Sequence, residues 1–219
     1  MVDIIKVVIF IYHSIVITIK TKKGLIMNKT RRKLLAMPGI MSISMSFITQ
    51  AGEKKTQVIN NMLSKQEITE HEKYMREAIK EAIKNPRYPF GAVIVSRNNG
   101  EILSRGVNAG RSNPILHGEI QAINHYITQY GNQGWENIAL YTTGEPCSMC
   151  MSALVWIGIR EVIWATSISV IRNSGIRQID ISAHEIAERA SSFYNPITLV
   201  GGILANETDK LFLERKRGK

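Results

Sequence analysis

His117-Gly118-Glu119 and Pro146-Cys147-Ser148-Met149-Cys150 are the two stretches from which the rest of this chain is read. One imidazole and two thiolates form a borderline-soft donor set that suits zinc, and three protein ligands in place of four leave one coordination position open for chemistry. Glu119 follows the ligand imidazole with one residue between, so its carboxylate can carry a proton between water and a leaving group. Each stretch opens a predicted helix. Residues three apart share a helix face, so Cys147 and Cys150 can reach one ion, and the positive end of the helix dipole lowers the cost of holding them as thiolates.

Working outward, apolar spacing and turn residues give ten elements. Thr69-Glu70-His71-Glu72 is a capping box, and Tyr74, Ala78, Ile79, Ala82 and Ile83 recur at helical spacing up to Asn85-Pro86. Residues 90–95 and 102–108 read as two strands joined at Asn98-Asn99-Gly100. A helix from about His117 to Tyr130, a strand over 138–143, a helix over 148–157 and a strand over 161–165 follow. Helix 182–191, strand 197–200 and helix 206–217 close the chain. The order α-β-β-α-β-α-β-α-β-α predicts an α/β fold of three layers, with a mixed five-stranded sheet between helices and the last two strands parallel.

A chain of 219 residues with 44% hydrophobic residues can bury one sizeable core with something left over. The surplus is N-terminal and basic. Eight of the 28 Lys and Arg lie in residues 1–52 against the single acid Asp3, so the net charge of +10 divides into +7 there and +3 over residues 53–219. A domain this close to neutral lacks the basic groove that phosphate backbones require, so nucleic acid is not an expected partner. From Met27, a basic run with Arg31-Arg32, an apolar run to Ile48 and Thr49-Gln50-Ala51 have the parts of an export signal cleaved after Ala51; the Arg pair resembles a twin-arginine signal. The expected location is periplasmic or exported if that leader is used, and cytoplasmic otherwise. The apolar run from Val7 to Ile19 falls short of the roughly 20 residues that span a bilayer, so no stable membrane span is expected. The organisation is thus a leader over 1–52, a linker over 53–66 and a folded domain over 67–219.

Over residues 70–217, the chain resembles the cytidine deaminase-like superfamily of zinc enzymes, in its nucleobase and nucleoside branch of guanine, cytosine and tRNA adenosine deaminases. Asn108, Leu116-His117-Gly118-Glu119-Ile120 and Tyr141-Thr142-Thr143-Gly144-Glu145-Pro146-Cys147-Ser148-Met149-Cys150 carry the resemblance. It implies that His117, Cys147 and Cys150 bind Zn2+, that Glu119 is the catalytic proton carrier, and that Asn108 hydrogen-bonds the substrate's base edge. It further implies that the backbone N–H of Cys147 holds the developing oxygen and that the protein is a homodimer. The expected reaction is hydrolytic release of ammonia from a small nucleobase or nucleoside, guanine first and cytosine second, with a tRNA adenosine as the alternative.

Cys-x-x-Cys between a strand and a helix is also a dithiol-disulfide arrangement, which an exported protein would tolerate. The upstream His-x-Glu favours zinc. A structural fourth ligand would have to come from His71, His125 or His184, and His125 stands two helical turns from His117, about 12 Å away. Trp164 is expected in the core and Trp156 in the core or at a subunit surface. No acid follows Trp164 directly; Asp180 and Glu185 are the nearest candidates to set specificity.

Overall fold

The computed structural model describes residues 63–215; the leader and most of the linker, with the readings placed on them, lie outside the described residues. Helix α1 spans Lys65–Ala82, β1 Gly91–Ser96, β2 Ile102–Val107, α2 Gly118–Tyr130, β3 Ile138–Gly144 and α3 Ser148–Ile157. Then come β4 Glu161–Thr166, α4 Ile168–Asn173, α5 Ala183–Arg189, β5 Thr198–Val200 and α6 Ala205–Leu213. The sheet is five-stranded and mixed, in the order β2-β1-β3-β4-β5. Strand β1 is antiparallel to β2 and β3, whereas β3, β4 and β5 run parallel. This is the expected three-layer architecture.

One boundary and one element depart most from the sequence reading, each for a physical reason. Helix α1 begins inside the expected linker, because Ser64 and Glu67 form a reciprocal capping box one turn before the Thr69 box. Thr69 instead donates to the carbonyl of Lys65 from within the helix, as mid-helix threonines do. Helix α4 was not expected at all. It has six residues, too few to show a period, and its only local signal is the Ser167 side chain accepting from the Val170 N–H.

The alternation of side chains along the strands divides the core. Ile94, Leu140, Val162 and Trp164 face α2, α3 and α5, while Val93, Tyr141, Ile163 and Val200 face Tyr74, Met75 and Ala78 of α1. Helix α6 packs on β4 and α4, anchored by the fully buried Phe212, whose burial contributes about 1.5–3 kcal/mol. Close approach fixes α2. A side chain at Gly106 of β2 would collide with the backbone of Gly118 and Ala122. Ser104 donates to the Ala122 carbonyl at 2.8 Å, and Gln121 accepts from the Val107 N–H at 2.7 Å. The start of α2 is therefore set by the sheet, and with it the first half of the site. Among the described residues, no helix is long and apolar enough to cross a membrane.

Candidate metal centre

His117 is the residue at which the loop after β2 becomes α2, and Cys147 holds the same place at the start of α3, just past the end of β3. The two helix starts meet beyond the C-terminal end of β3. The Nδ1 of His117 lies 3.5 Å from the Sγ of Cys147 and 3.5 Å from the Sγ of Cys150. Tetrahedral zinc with ordinary Zn–S and Zn–N bonds puts such donors about 3.5–3.8 Å apart, so the imidazole stands from each sulfur at the spacing the ion requires, and all three donor atoms lie within 4.8 Å of one another. Both cysteines are free thiols, not a disulfide. Among the described residues, these three are the His, Cys, Asp and Glu group placed to hold a metal.

Glycine at 118 has a steric reason. A Cβ there would lie 2.9 Å from the carbonyl oxygen of Phe90, closer than side chains approach backbone. Phe90 in turn lays its ring nearly parallel to that of His117, centroids 6.4 Å apart at 14°, and meets Phe212 edge-on at 4.9 Å. The imidazole is thus held from the C-terminal helix through one aromatic contact.

Glu119 is 2% exposed, and its Oε2 is buried with no hydrogen-bond partner. Burial, then the neighbouring Cys147 sulfur, pushes its carboxyl up to about 7, against the opposing pull of backbone N–H, His117 and Cys150. The Cys147 thiol is held down to about 4, first by the hydrogen bond from Cys150 and then by His117, against burial. The same contact, with burial, drives Cys150 well above the ordinary thiol value. His117 is raised chiefly by its hydrogen bond with Cys147. A divalent cation would reverse the order at Cys150 and hold both sulfurs as thiolates.

The other expected residues separate clearly. Asn108, at the end of β2, accepts the Gly110 N–H through Oδ1 at 3.1 Å, while its backbone carbonyl takes the Asn85 side chain at 2.8 Å. Its own N–H donates to the carbonyl of Phe90, which ties this strand end to the residue against His117. His71 is engaged with the Tyr141 hydroxyl at 3.0 Å, His125 with the Arg105 carbonyl at 2.8 Å, and His184 with the ring of Trp164. None of the three joins the cluster. Asp180 pairs with Arg172 and Glu185 with Arg189 in partly exposed ion pairs, so neither is committed to the site. Trp164 is core, as expected, whereas Trp156 is 78% exposed and rests on Phe193. Glu145, in the sequence only one member of the motif before the cysteines, is buried and accepts the N–H groups at two helix starts.

The zinc-binding region of cytidine and deoxycytidylate deaminases matches residues 68–166, which include all three donors and Glu119. A probable cytosine deaminase of Schizosaccharomyces pombe is 34% identical over 142 residues, covering 61% of this chain and 85% of that protein. The chain belongs to the cytidine and deoxycytidylate deaminase family. This deaminase is therefore a zinc-dependent hydrolase of carbon–nitrogen bonds. A tRNA-specific adenosine deaminase of Bacillus subtilis is 38% identical over 102 residues, 44% of this chain, and the chain spans 62% of that relative's length. The fold is shared with a guanine deaminase from Nitrosomonas europaea at a TM-score of 0.57 and 21% identity, covering 65% of this deaminase and 82% of that chain.

Proposed function

We propose that this deaminase hydrolyses the exocyclic amine of a free nucleobase, with cytosine as the first substrate and guanine as the second. The observation that carries the proposal is the buried, unpartnered Oε2 of Glu119 beside the donor set. A carboxylate with a free oxygen, shielded from water and raised toward neutrality, is suited to take up a proton and give it back. Zinc, when bound, supplies Lewis acidity and an acidic water. Glu119 Oε2 accepts a proton from the attacking water and delivers it to the ring nitrogen next to the attacked carbon; it then takes the second proton from the hydroxyl now on that carbon and passes it to the amine, which departs as ammonia as the carbonyl forms. Because Asn108 Oδ1 accepts from Gly110, its amide NH₂ is the end available to a substrate, and it suits a carbonyl oxygen on the base edge.

Cytosine moves ahead of guanine because the relative matched over 85% of its length is a probable cytosine deaminase, whereas the guanine enzyme shares only the fold. The tRNA alternative has a sequence relative behind it. Against it stands the near-neutral balance of 20 basic and 17 acidic residues in 53–219, read from the 28 and 18 of the whole chain less the eight and one of the leader. The exposed Trp156 and Phe193, rings 5.2 Å apart, support a homodimer with this face at its interface. Sedimentation of Trp156→Glu as a monomer, against a wild-type dimer, would bear that out; an unchanged dimer would remove this face from it.

The substrate test is direct. Zinc-loaded protein is incubated with cytosine, guanine, adenine and their nucleosides, and ammonia is assayed. Release from cytosine is expected first. Inosine formed in a tRNA anticodon stem, with no ammonia from any free base, would overturn the proposal.

A further inference from the structure

Glu145 follows the end of β3 and immediately precedes Pro146-Cys147, and its carboxylate is buried and bonded to two distant segments. Its Oε2 accepts the N–H of Ile168 at 2.9 Å, and its Oε1 accepts the N–H of Ala183 at 2.9 Å. These are the first residues of α4 and α5, whose N–H groups have no carbonyl partner within their own helices. Ser167 and Ser182 cap the same helices by accepting from Val170 and Glu185, two positions further in. Each helix start is therefore closed by two groups, and one of them is a single shared carboxylate. Both bonds are buried and charge-assisted, the stronger kind. The backbone N–H of Glu145 adds a third tie, to the carbonyl of Thr166 at 2.7 Å.

The two helices so gathered reach the other half of the site. Ile171 of α4 clusters with Phe212 and packs on Phe90, the residue whose ring lies against His117. Ala183 and Ala187 of α5 lie in the core beneath α3, which carries Cys150. The Cys147 loop and the support of the imidazole thus share a fixed point in Glu145. We infer that Glu145 is the positioning residue of the metal centre: its carboxylate, by clamping the starts of α4 and α5 to the Cys147 loop, sets the spacing of the two sulfurs against His117.

This rests on His117, Cys147 and Cys150 holding zinc, and the experiment separates the two ideas by measuring wild-type zinc first. Glu145→Gln keeps the shape but turns one acceptor oxygen into an NH₂ group facing a backbone N–H. Outer partners of metal ligands typically change metal affinity 10–100-fold when replaced, so zinc should pass to a chelator at least ten times faster. The ligand-field bands of the cobalt-substituted protein should shift as well. Ala183→Pro removes one of the two donors at the first position of a helix, which accepts proline, after Ser182, already extended at φ −74° and ψ 156°, and should speed zinc loss by a smaller factor. It carries the test if Glu145→Gln does not fold. Tyr74→Phe, which removes the hydrogen bond from the Tyr74 hydroxyl to the Gly100 carbonyl at the turn between β1 and β2, serves as the destabilised control. Wild-type protein without zinc would sink both ideas. Zinc-bearing wild type with unchanged release and unchanged cobalt bands in the variants, or equal acceleration in Tyr74→Phe, would overturn the role of Glu145 alone.

Discussion

Glu119→Gln is the substitution that separates binding from chemistry at this centre. Glutamine matches the carboxylate in shape and can fill the same buried space, but it cannot accept and return a proton. General acid–base groups contribute about 10²–10⁴-fold, so kcat for the released ammonia should fall by about that much, or roughly 3–5 kcal/mol of barrier. Zinc content should stay at the wild-type value, because Glu119 is not one of the three donor atoms. Stability moves the other way. The rise of the Glu119 carboxyl from 4.5 to about 7 means that the folded chain resists its ionisation, by roughly 3 kcal/mol at one pKa unit per 1.36 kcal/mol. Below pH 4.5 both states carry the proton and nothing is lost; stability falls as pH rises toward 7 and then stays lower. In chelator-treated protein, Glu119→Gln should therefore be more stable than wild type at pH 8 and equal to it at pH 4, as read by urea unfolding. Ammonia turnover and zinc content complete the assay. Near-normal turnover, or loss of zinc in the variant, would refute the role given to Glu119.

Cys150→Ser should reduce zinc to a small fraction of the wild-type content and turnover with it, checked by metal analysis of dialysed protein, because a hydroxyl is a poor substitute for the thiolate. Asn108→Asp keeps an oxygen for the Gly110 N–H but removes the amide donor, so kcat/KM should fall about 10–100-fold with little change in thermal stability. Gly118→Ala must displace Phe90 from its 2.9 Å approach, at a cost of about 1–3 kcal/mol in unfolding free energy, and should weaken zinc retention through the Phe90 ring. Tyr194→Phe leaves the buried Ile159 carbonyl without its 2.7 Å partner and should lose about 1–3 kcal/mol at neutral pH. Burial pushes the Tyr194 phenol up to about 12, so wild-type stability should drop between pH 10 and 12 as the unfolded chain ionises first, and less so in the variant.

Much of the centre was legible because its chemistry is carried by residue types at short, regular spacing. Two cysteines three apart at a helix start have few other uses beside an upstream His-x-Glu, and the strand periods that bracket them are long enough to read. Export, cleavage after Ala51 and the assignment of residues 1–52 rest on sequence pattern alone, and N-terminal sequencing of native protein beginning at Gly52 would support them. Other features left weak signals. Helix α4 is too short to show a period, and Ser64 competes with Thr69 as a cap because both precede a glutamate by three residues. Trp156, expected in the core or at a subunit surface, is exposed and rests on the ring of Phe193, a placement that depends on how the loop before β5 packs.

The sequence by itself determined which atoms could hold the metal and which carboxylate could move a proton, since donor chemistry belongs to side chains and not to their neighbours. Only the tertiary structure decided that these atoms lie 3.5 Å apart, that Glu119 is sealed from water, and that Glu145 joins two helix starts to the cysteine loop. Distances between segments some 30 residues apart depend on how strands pair and helices pack, and desolvation depends on everything that surrounds a group; neither quantity is local.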